Sequence, residues 1–565
     1  MINFETFMKQ VFLFICFLAI VKLSNAQVKG SDKGTFTGNF QSSTQLYDRD
    51  NKIGANTEVY NKYKSSVDAW LMLNYGIKGY NFSLRYDMYN NSPLLNPQGV
   101  YNKQGVGFWQ ASKDIGGLNI TAGYFYDQFA SGIIFRAFED RLIGIDFAVQ
   151  GLRVKYNYKN LAIKAFAGQQ KGNIFSGDRF AVSPEAIKGV NAQYNFKIKQ
   201  KIAVEIGSSM VNRALDQTTM NAVVAAINSQ PLATRFIPKY NSYSANGYGS
   251  LGFKDLRLSG EYVYKTKEAI KNQNGDLLIN KSGTVLFTSL GYSKANLGKK
   301  KQFSFGANLQ YKRIENYSFR TSPFEILNNG SISYLPSITK QNTYRLLARY
   351  NAVTQVLGEE AYQADWLFTP KRGTTFAFNV SQVKSLAANG DGQGNAKKLF
   401  HELYGEVQHK FTKKFKAKVG LQSIFYDQQR YEQKDSTYPT VKSLTPFIEL
   451  TYKITKKTSL RVESQYLETG QDLGSFVNGI VELNHAPHWS FSVGDMVNIK
   501  PHRSPSSTIP SEIIHYYSGF VGFTDGPTVL TLAYIKQVQG VNCTGGICRV
   551  EPAFSGVRLT LSSSF

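Results

Sequence analysis

The chain has 565 residues, with 65 Lys and Arg against 40 Asp and Glu, a formal net charge of +25. Aromatic residues make up 14% of the chain, whereas hydrophobic residues of all kinds reach only 42%. After the N-terminal segment there is no run of about 18 uncharged apolar residues, which excludes a helical membrane bundle, and the abundance of rings excludes a disordered chain.

The positive charges are spread along the chain and form neither a tail nor a single stripe. This scatter, together with the lack of a nucleic-acid-binding motif, argues against DNA or RNA as a partner. A field of this sign also attracts phosphorylated lipids, lipopolysaccharide and anionic solutes. The charge balance therefore favours a membrane or a small-solute partner.

The N-terminus has the parts of a secretory signal peptide. Lys9 precedes an apolar core over residues 11–21, and residues 24–26 read Ser-Asn-Ala, with small residues at the positions that a signal peptidase reads. The core is short for a membrane-spanning helix. We expect residues 1–26 to be removed on export, which leaves residues 27–565 as the mature protein. An uncleaved N-terminal anchor is the alternative.

From Gly34 onward, short alternating segments are separated by Gly, Asn, Asp, Lys or Ser turns. An alternation of period two predicts strands with one apolar and one polar face. Over residues 80–88 one face carries Tyr, Phe, Leu, Tyr and Met, and the other carries Asn, Ser, Arg and Asp. The same pattern recurs at 303–311, 256–264, 376–383, 403–409, 419–426, 446–452, 460–466 and 529–534.

Strands of about 9 to 11 residues, joined by short turns alternating with longer loops, are typical of an outer-membrane β-barrel. The pattern predicts an all-β fold: a single large antiparallel transmembrane β-barrel, porin-like, with about 18 to 24 strands. A chain of soluble β-sandwiches is the alternative, but its apolar faces would not need so many flanking Tyr and Phe. Strand texture begins near Gly34, which argues against an energised receptor with an N-terminal plug domain.

Residues 132–154 are the most unusual segment, because four charges fall within six residues and on both strand parities. A regular lipid-facing strand cannot hold them, so we expect the segment to bend or to fold into the lumen. There, guanidinium groups and carboxylates would pair into a network. Its expected members are Arg136, Glu139, Arg141, Asp146 and Arg153. Such a network either braces the wall of a wide pore or binds an anionic ligand.

Two other segments interrupt the strand pattern. Residues 216–229 predict a short helix that ends before Pro231, in a long connection that either caps an external loop or folds into the lumen. Residues 389–395 (NGDGQGN) predict a flexible turn. They do not predict a calcium loop, because Ala396 stands where the sharp turn of such a loop requires Gly.

After removal of the leader, two cysteines remain, Cys543 and Cys548, separated by four residues of which two are Gly. In an exported protein this spacing predicts a disulfide that closes a small loop. Metal or redox chemistry is the alternative. Two thiolates without a nearby His make a poor zinc site, and the sequence predicts neither a metal nor a cofactor.

The chain ends on a strand with an apolar face formed by Val557, Leu559, Leu561 and Phe565, which share one parity. A terminal aromatic strand of this kind resembles the signal that the barrel-assembly machinery reads. The last strand of a barrel must also present an edge that closes the sheet, because an unpaired edge is not tolerated in lipid. We therefore predict that this strand is the assembly signal.

The sequence does not favour an enzyme. Nucleophilic catalysis needs a nucleophile beside an oriented base, and no Gly-x-Ser-x-Gly elbow occurs. His485 and His488 flank a proline, and this pair is better explained by a turn within an aromatic belt than by a metal site.

Four stretches resemble an uncharacterised outer-membrane β-barrel family of the Bacteroidota, a domain of unknown function. They are residues 132–154, 471–475 and 484–498, and the ending CTGGICRVEPAFSGVRLTLSSSF, whose paired-Cys, Gly-Gly element is the most specific. The resemblance covers nearly all of the mature chain. It implies an outer-membrane barrel but no reaction, substrate or catalytic residue. One departure is Glu551, which stands between Val550 and Pro552.

Together these observations predict an integral protein of the outer membrane of a Gram-negative bacterium, exported through the periplasm. Its expected function is that of a pore or transporter for small polar or anionic solutes. The alternative is a non-conducting structural or accessory subunit of an envelope secretion or surface-assembly machine, with its lumen filled by infolded segments. The expected partners are outer-membrane lipid, lipopolysaccharide, the barrel-assembly machinery during biogenesis, and envelope proteins.

Overall fold

The computed structural model describes residues 34–94, 99–141, 143–172, 178–298, 303–325, 329–389, 394–502, 512–544 and 547–565; for residues 541–550 it describes the backbone alone. The predicted signal peptide, residues 1–26, and the centre of the turn predicted at 389–395 lie outside the described residues.

Twenty-four antiparallel strands form one closed sheet. In chain order they are β1 Thr35–Tyr47, β2 Ser65–Ile77, β3 Tyr80–Ser92, β4 Tyr101–Ile115, β5 Leu118–Phe125, β6 Val149–Tyr158, β7 Leu161–Lys171, β8 Val182–Ile198, β9 Ile202–Ala214, β10 Asn241–Phe253, β11 Leu256–Lys271, β12 Leu278–Leu297, β13 Phe303–Glu315, β14 Gly358–Lys371, β15 Thr374–Ser385, β16 Lys398–Lys410, β17 Phe415–Tyr426, β18 Val441–Lys453, β19 Thr458–Leu467, β20 Gly474–His485, β21 Trp489–Pro501, β22 Ile514–Asp525, β23 Thr528–Gln537 and β24 Phe554–Ser564.

The sheet closes because β1 pairs with both β2 and β24. The structure is therefore the single antiparallel transmembrane barrel that the alternation predicts, and its strand number lies at the upper end of the predicted range. Closure leaves no unpaired strand edge for lipid to meet.

Side-chain parity separates the two surfaces of the wall. In β3 the alternate residues from Tyr80 to Met88 are 37 to 47% exposed and form part of the apolar outer surface, whereas Arg85 and Asp87 between them are buried on the inner side. Successive residues of a strand point to opposite faces, so the polar half of each alternating segment faces the lumen.

The connections differ between the two ends of the barrel. At one end most are tight turns, such as residues 78–79 between β2 and β3, where Lys78 and Gly79 both adopt positive φ. Two consecutive residues with positive φ form the turn that matches the twist of a hairpin. At the other end the connections are longer, and we call these two ends the short-turn end and the long-loop end.

Three long connections fold from the long-loop end into the lumen: residues 48–64, which contain helix α1 Glu58–Lys62, residues 126–148 and residues 316–357. They bury apolar side chains against the inner wall. One buried cluster joins Ile53 and Tyr60 to Leu346 and to wall residues such as Phe400. We call the three segments together the plug.

A second buried cluster of the plug joins Phe129 and Phe135 of segment 126–148 to Phe319 and Ile332 of segment 316–357. The wall contributes one aliphatic residue from each of six strands to this cluster: Val149, Ile187, Val211, Val263, Val285 and Ile314. Ile187, Val211 and Ile314 lie near the long-loop ends of their strands. Val263 and Val285 lie near mid-strand in the longer β11 and β12, but the strand register places them level with Ile314. The plug therefore occupies the long-loop half of the lumen.

The helix predicted at 216–229 is present as α2 Gln217–Asn228. Asp216 caps it by accepting hydrogen bonds from the backbone N–H groups of Thr218 and Thr219, as expected of an N-cap residue. The buried face of α2 packs on the long-loop ends of β11 and β12. A further short helix, α3 Gln428–Tyr431, precedes β18. Within the described ranges, no helix is long and apolar enough to cross a membrane.

The connection between β23 and β24 contains a small hairpin, Gly540–Thr544 with Ile547–Glu551. Its backbone register places Cys543 directly opposite Cys548. The side chains of these two residues are outside the described part of the structure, so the disulfide stays a prediction.

Candidate functional site: the plugged lumen

Arg85 lies at the centre of the charged contacts between the plug and the wall. Its Nε donates to Asp87 Oδ1 at 2.7 Å, and its Nη1 donates to both carboxylate oxygens of Glu139 at 2.8 and 2.9 Å. Its Nη2 donates to Asp87 Oδ2 at 3.1 Å and to Asp146 Oδ2 at 3.0 Å. A guanidinium has five N–H groups, so these contacts leave Arg85 no donor for a ligand.

Two further cations surround Asp146. Lys171 Nζ donates to Asp146 Oδ2 at 2.9 Å, and Arg179 donates to the hydroxyl of Tyr89 at 2.7 Å and to the carbonyl of Gly144 at 2.8 Å. Burial alone would raise the pKa of Asp146, but the positive charges of Lys171, Arg85 and Arg179 outweigh it and hold the pKa well below its ordinary value. Asp146 is therefore a stable anion within the plug.

Arg141 extends these contacts to β1 and β2. Its Nε donates to Glu139 at 3.1 Å, its Nη1 donates to Gln41 at 2.6 Å, and its guanidinium lies 4.8 Å from the ring centre of Trp70. Removing one partner from a buried ion-pair network costs about 3 to 5 kcal/mol, because the other charge is left uncompensated. The network therefore anchors segment 126–148 to the wall.

The other two predicted arginines lie elsewhere. The Arg136 guanidinium is 4.7 Å from the ring centre of Phe138 and 4.1 Å from that of Tyr334, and its backbone N–H donates to Ile332 at 3.0 Å. Arg136 thus joins segments 126–148 and 316–357 to each other. Arg153 lies on β6, where its Nη1 is 3.4 Å from Asp127.

Of the five predicted residues, the structure brings Glu139, Arg141 and Asp146 together, and Arg136 and Arg153 have other partners. Sequence reasoning missed four members of the network: Arg85, Asp87, Lys171 and Arg179. Two of these, Arg85 and Asp87, do fall on the polar parity of residues 80–88, which is the one signal that the sequence offers for them.

Segment 316–357 has its own charged anchor. Arg349 Nη2 donates to Asp472 at 2.8 Å, and the hydroxyl of Tyr350 donates to the same carboxylate at 3.2 Å. Burial would raise the pKa of Asp472, but the charges of Arg349 and Lys434 lower it below its ordinary value. The two large segments of the plug are therefore each fixed by a buried carboxylate that stays ionised.

Toward the short-turn end the inner wall is polar and partly exposed. Two recesses of about 540 and 370 Å³ lie between this wall and the plug: Lys340 of segment 316–357 lines the larger one, and Gln128, Ala130 and Ser131 of segment 126–148 line the smaller one. The smaller one is lined by polar and charged residues that include Lys164, Glu205, Tyr248 and Arg257. In the part of the chain that the structure describes, no three His, Cys, Asp or Glu side chains lie close enough together to hold a metal ion.

The strand predicted as the assembly signal is β24, which closes the barrel between β1 and β23. Val557, Leu559 and Leu561 share the parity of the apolar outer surface: Leu559 lies opposite Leu532, which is exposed on that surface. Phe565 follows the strand and is hydrogen-bonded to β1. The role of these residues in assembly stays a prediction.

No curated protein matches this chain in sequence. Among solved structures, a chain of the E. coli P pilus tip assembly intermediate PapC-PapD-PapK-PapG is similar at 9% identity and a TM-score of 0.45, with 96% of this chain and 62% of that chain covered. The present chain thus spans less than two thirds of the length of that protein.

Two further similar structures are the siderophore receptor PirA from Pseudomonas aeruginosa (7% identity, TM-score 0.43, 95% of this chain and 81% of that chain) and OccAB3 from Acinetobacter baumannii (9% identity, TM-score 0.34, 94% and 98%). At the level of sequence, a family of unknown function (DUF6029) matches residues 8–565, and the chain belongs to that family.

Proposed function

We propose that the protein is an outer-membrane barrel that passes small polar or anionic solutes and whose own loops close the lumen. The observation that carries the proposal is the division of the lumen into a plugged half at the long-loop end and a polar half at the short-turn end. The two recesses, of about 540 and 370 Å³, are in the size range of small-molecule binding sites.

The width of the barrel explains why a plug is needed. Twenty-four strands spaced about 4.8 Å apart and tilted by about 40° give a wall roughly 45 to 50 Å across. Barrels of 16 to 18 strands already leave an aqueous channel, and those of about 22 strands are plugged. An open lumen of this width would let the contents of the periplasm escape.

In barrels of this kind the short turns face the periplasm and the long loops face the outside. With that orientation the plug lies on the external side and the polar chamber opens to the periplasm. Solute passage then requires a displacement of part of the plug. We expect segment 126–148 to move, because its residues Gln128, Ala130 and Ser131 line the smaller recess.

The alternative function is that of a non-conducting accessory subunit of an envelope secretion or surface-assembly machine. Every N–H group of Arg85 already donates to a carboxylate of the protein, and apolar clusters hold the plug against the wall. These two observations favour the accessory subunit, because opening the lumen would break the Arg85 contacts and the apolar clusters. In that case the buried ion pairs only stabilise a filled barrel.

Swelling of liposomes that contain the folded protein tests the two functions. Passage of sugars and sugar acids up to a size limit supports the transporter. Lack of swelling with verified folded protein, together with cross-links to an envelope protein in cells, would support the accessory subunit instead.

The proposal includes the route to the membrane. The chain is exported through the periplasm and loses residues 1–26, and the barrel-assembly machinery recognises β24. In the outer membrane, the outer surface of the barrel contacts lipid and lipopolysaccharide. A source among the Bacteroidota and a Cys543–Cys548 disulfide are further parts of the proposal.

A further inference from the structure

Two lysines face each other on the inner wall. Lys155 in β6 and Lys164 in β7 are direct partners in the strand register, and Arg153 lies two residues before Lys155 on the same face. Like charges directly opposite each other destabilise a pair of strands. This arrangement therefore needs a counter-charge, and the plug supplies one.

The counter-charge is Asp127, at the start of segment 126–148, whose side chain is 5% exposed. Its carboxylate is 2.9 Å from the Nζ of Lys155, 2.9 Å from the Nζ of Lys164 and 3.4 Å from the Nη1 of Arg153. One carboxylate cannot neutralise three cations. The cluster therefore keeps two positive charges in excess, and we call it the cation cluster.

The two lysines of the cation cluster reach the water of the lumen. Their side chains are 29 and 31% exposed, whereas Arg153 is more buried and also donates to Thr121 and to the carbonyl of Tyr126. Among the described residues, the ammonium group of Lys155 has a polar contact with Asp127 alone. The ammonium group of Lys164 has polar contacts with Asp127 and with the carbonyl of Gln128. An ammonium group has three N–H donors, so both lysines keep donors for an anion.

The 370 Å³ recess adjoins this cluster, because Lys164 lines it. Other lining residues offer groups that bind hydroxyls: the carboxylate of Glu205, the hydroxyls of Ser250 and Ser259, and the phenol of Tyr248. Glu205 accepts one hydrogen bond, from Gln193 at 3.0 Å. The recess thus has Lys164 of the cation cluster in its wall, together with a second cation, Arg257, and with hydroxyl and carboxylate groups.

Arg85 is a poorer place for an anion than the cation cluster. All five N–H groups of Arg85 are directed at carboxylates of the protein, so that network is an anchor. In the cation cluster the cations outnumber the carboxylate three to one, and the two lysines are open to the lumen. It is therefore the better place for a negatively charged solute.

We propose that the cation cluster and its recess form a binding site for a small hydroxylated organic acid, such as a sugar acid. Its carboxylate lies at Lys155 and Lys164, and its hydroxyl groups lie in the recess toward Glu205. This inference rests on the proposed function, because it names the substrate class of the same lumen.

Isothermal titration of the full-length barrel in a non-ionic detergent and low-salt buffer tests the site, with D-gluconate as the probe and D-glucose as its neutral counterpart. We expect gluconate to bind at least tenfold more tightly than glucose. The double variant Lys155→Gln/Lys164→Gln should lose that difference. Lys416→Gln, which removes another half-exposed lysine of the inner wall, should keep it.

A second variant tests the site independently, in case the double variant does not fold. Asp127→Asn removes the counter-charge and leaves three cations, so it should bind gluconate more tightly than the wild type. Equal affinity for gluconate and glucose in the wild-type protein, or unchanged gluconate binding in the double variant, would overturn the site. Titration does not require passage through the barrel: binding without liposome swelling would contradict the transport function alone, and swelling without selective binding would contradict this site alone.

Discussion

The ring of Phe565 lies over Gly38, and the backbones of the two residues exchange hydrogen bonds of 2.8 and 2.9 Å. A Cβ atom at position 38 would stand 2.3 Å from the ring. The first strand therefore provides a glycine where the last residue of the chain must lie, and this contact completes the closure of the barrel at the short-turn end.

We predict that Gly38→Ala reduces the amount of assembled barrel, because the new methyl group displaces the Phe565 ring. Gly247→Ala is a matched control, since a Cβ at that glycine would meet no atom within 4 Å. Deletion of Phe565 should act in the same direction as Gly38→Ala. The measurement is the heat-modifiable fraction in isolated outer membranes, and wild-type levels for both the deletion and Gly38→Ala would refute the closing role of this contact.

Arg85→Ala should destabilise the docked plug by about 3 to 5 kcal/mol, because it leaves Asp87, Glu139 and Asp146 without their shared partner. Arg313→Ala is the control: Arg313 forms an exposed ion pair with Glu315, and exposed pairs contribute about 1 kcal/mol or less. Limited trypsinolysis of the folded barrel should cut segment 126–148 in Arg85→Ala and not in the control. Equal resistance of the two variants would mean that the ion pairs do not hold the plug.

The plug should stay docked as the pH falls from 7 to 5. The pKa values of Asp146 and Asp472 are lowered, so their ion pairs stabilise the docked plug above the unfolded pKa of about 3.9, and this contribution is lost only as the pH falls through the lower folded values. Hydrogen-exchange protection of segments 126–148 and 316–357 should therefore be the same at pH 7 and pH 5. A loss of protection between these two values would contradict the assignment.

Cys543 and Cys548 should be joined in the mature protein. Residues directly opposite each other in an antiparallel pair have Cα atoms about 4.5 to 5.5 Å apart, which is within the range that a disulfide spans. Mass mapping of the protein under non-reducing conditions should recover the two residues in one linked peptide. Recovery of both as free thiols from cells quenched with an alkylating agent would rule the disulfide out.

The barrel itself could be predicted from the sequence, because it follows from the alternation of apolar and polar residues within each short segment. The alternation at Tyr80 to Met88 reports which side of the wall each residue faces, and the run of such segments sets the approximate strand number. The charges of residues 132–154, such as Glu139 and Arg141, also predict that this segment leaves the wall, because they cannot face lipid. The structure places the described residues of 132–148 inside the barrel, but β6 already begins at Val149, so Arg153 belongs to the wall.

The rest of the lumen structure could not be predicted from the sequence, because it depends on contacts between residues that are far apart in the chain. Segment 316–357 mixes polar and apolar residues without a strand period, so nothing in it predicts that Leu346 and Tyr350 pack inside the barrel. The partners of Arg85 are set by the path of the plug, and Asp127 meets Lys155 and Lys164 only because β6 and β7 return beside it. Such pairings follow from the closed sheet and not from local spacing.

Single-channel recording in a planar bilayer, with a salt-gradient reversal potential from the same traces, tests whether solutes pass through a lumen that the plug closes. We expect small steps with anion preference from the wild-type protein, larger steps from Arg85→Ala, and a weaker anion preference from Lys155→Gln/Lys164→Gln. Folded wild-type and Arg85→Ala proteins that both remain silent would contradict a loop-closed solute pathway through this barrel.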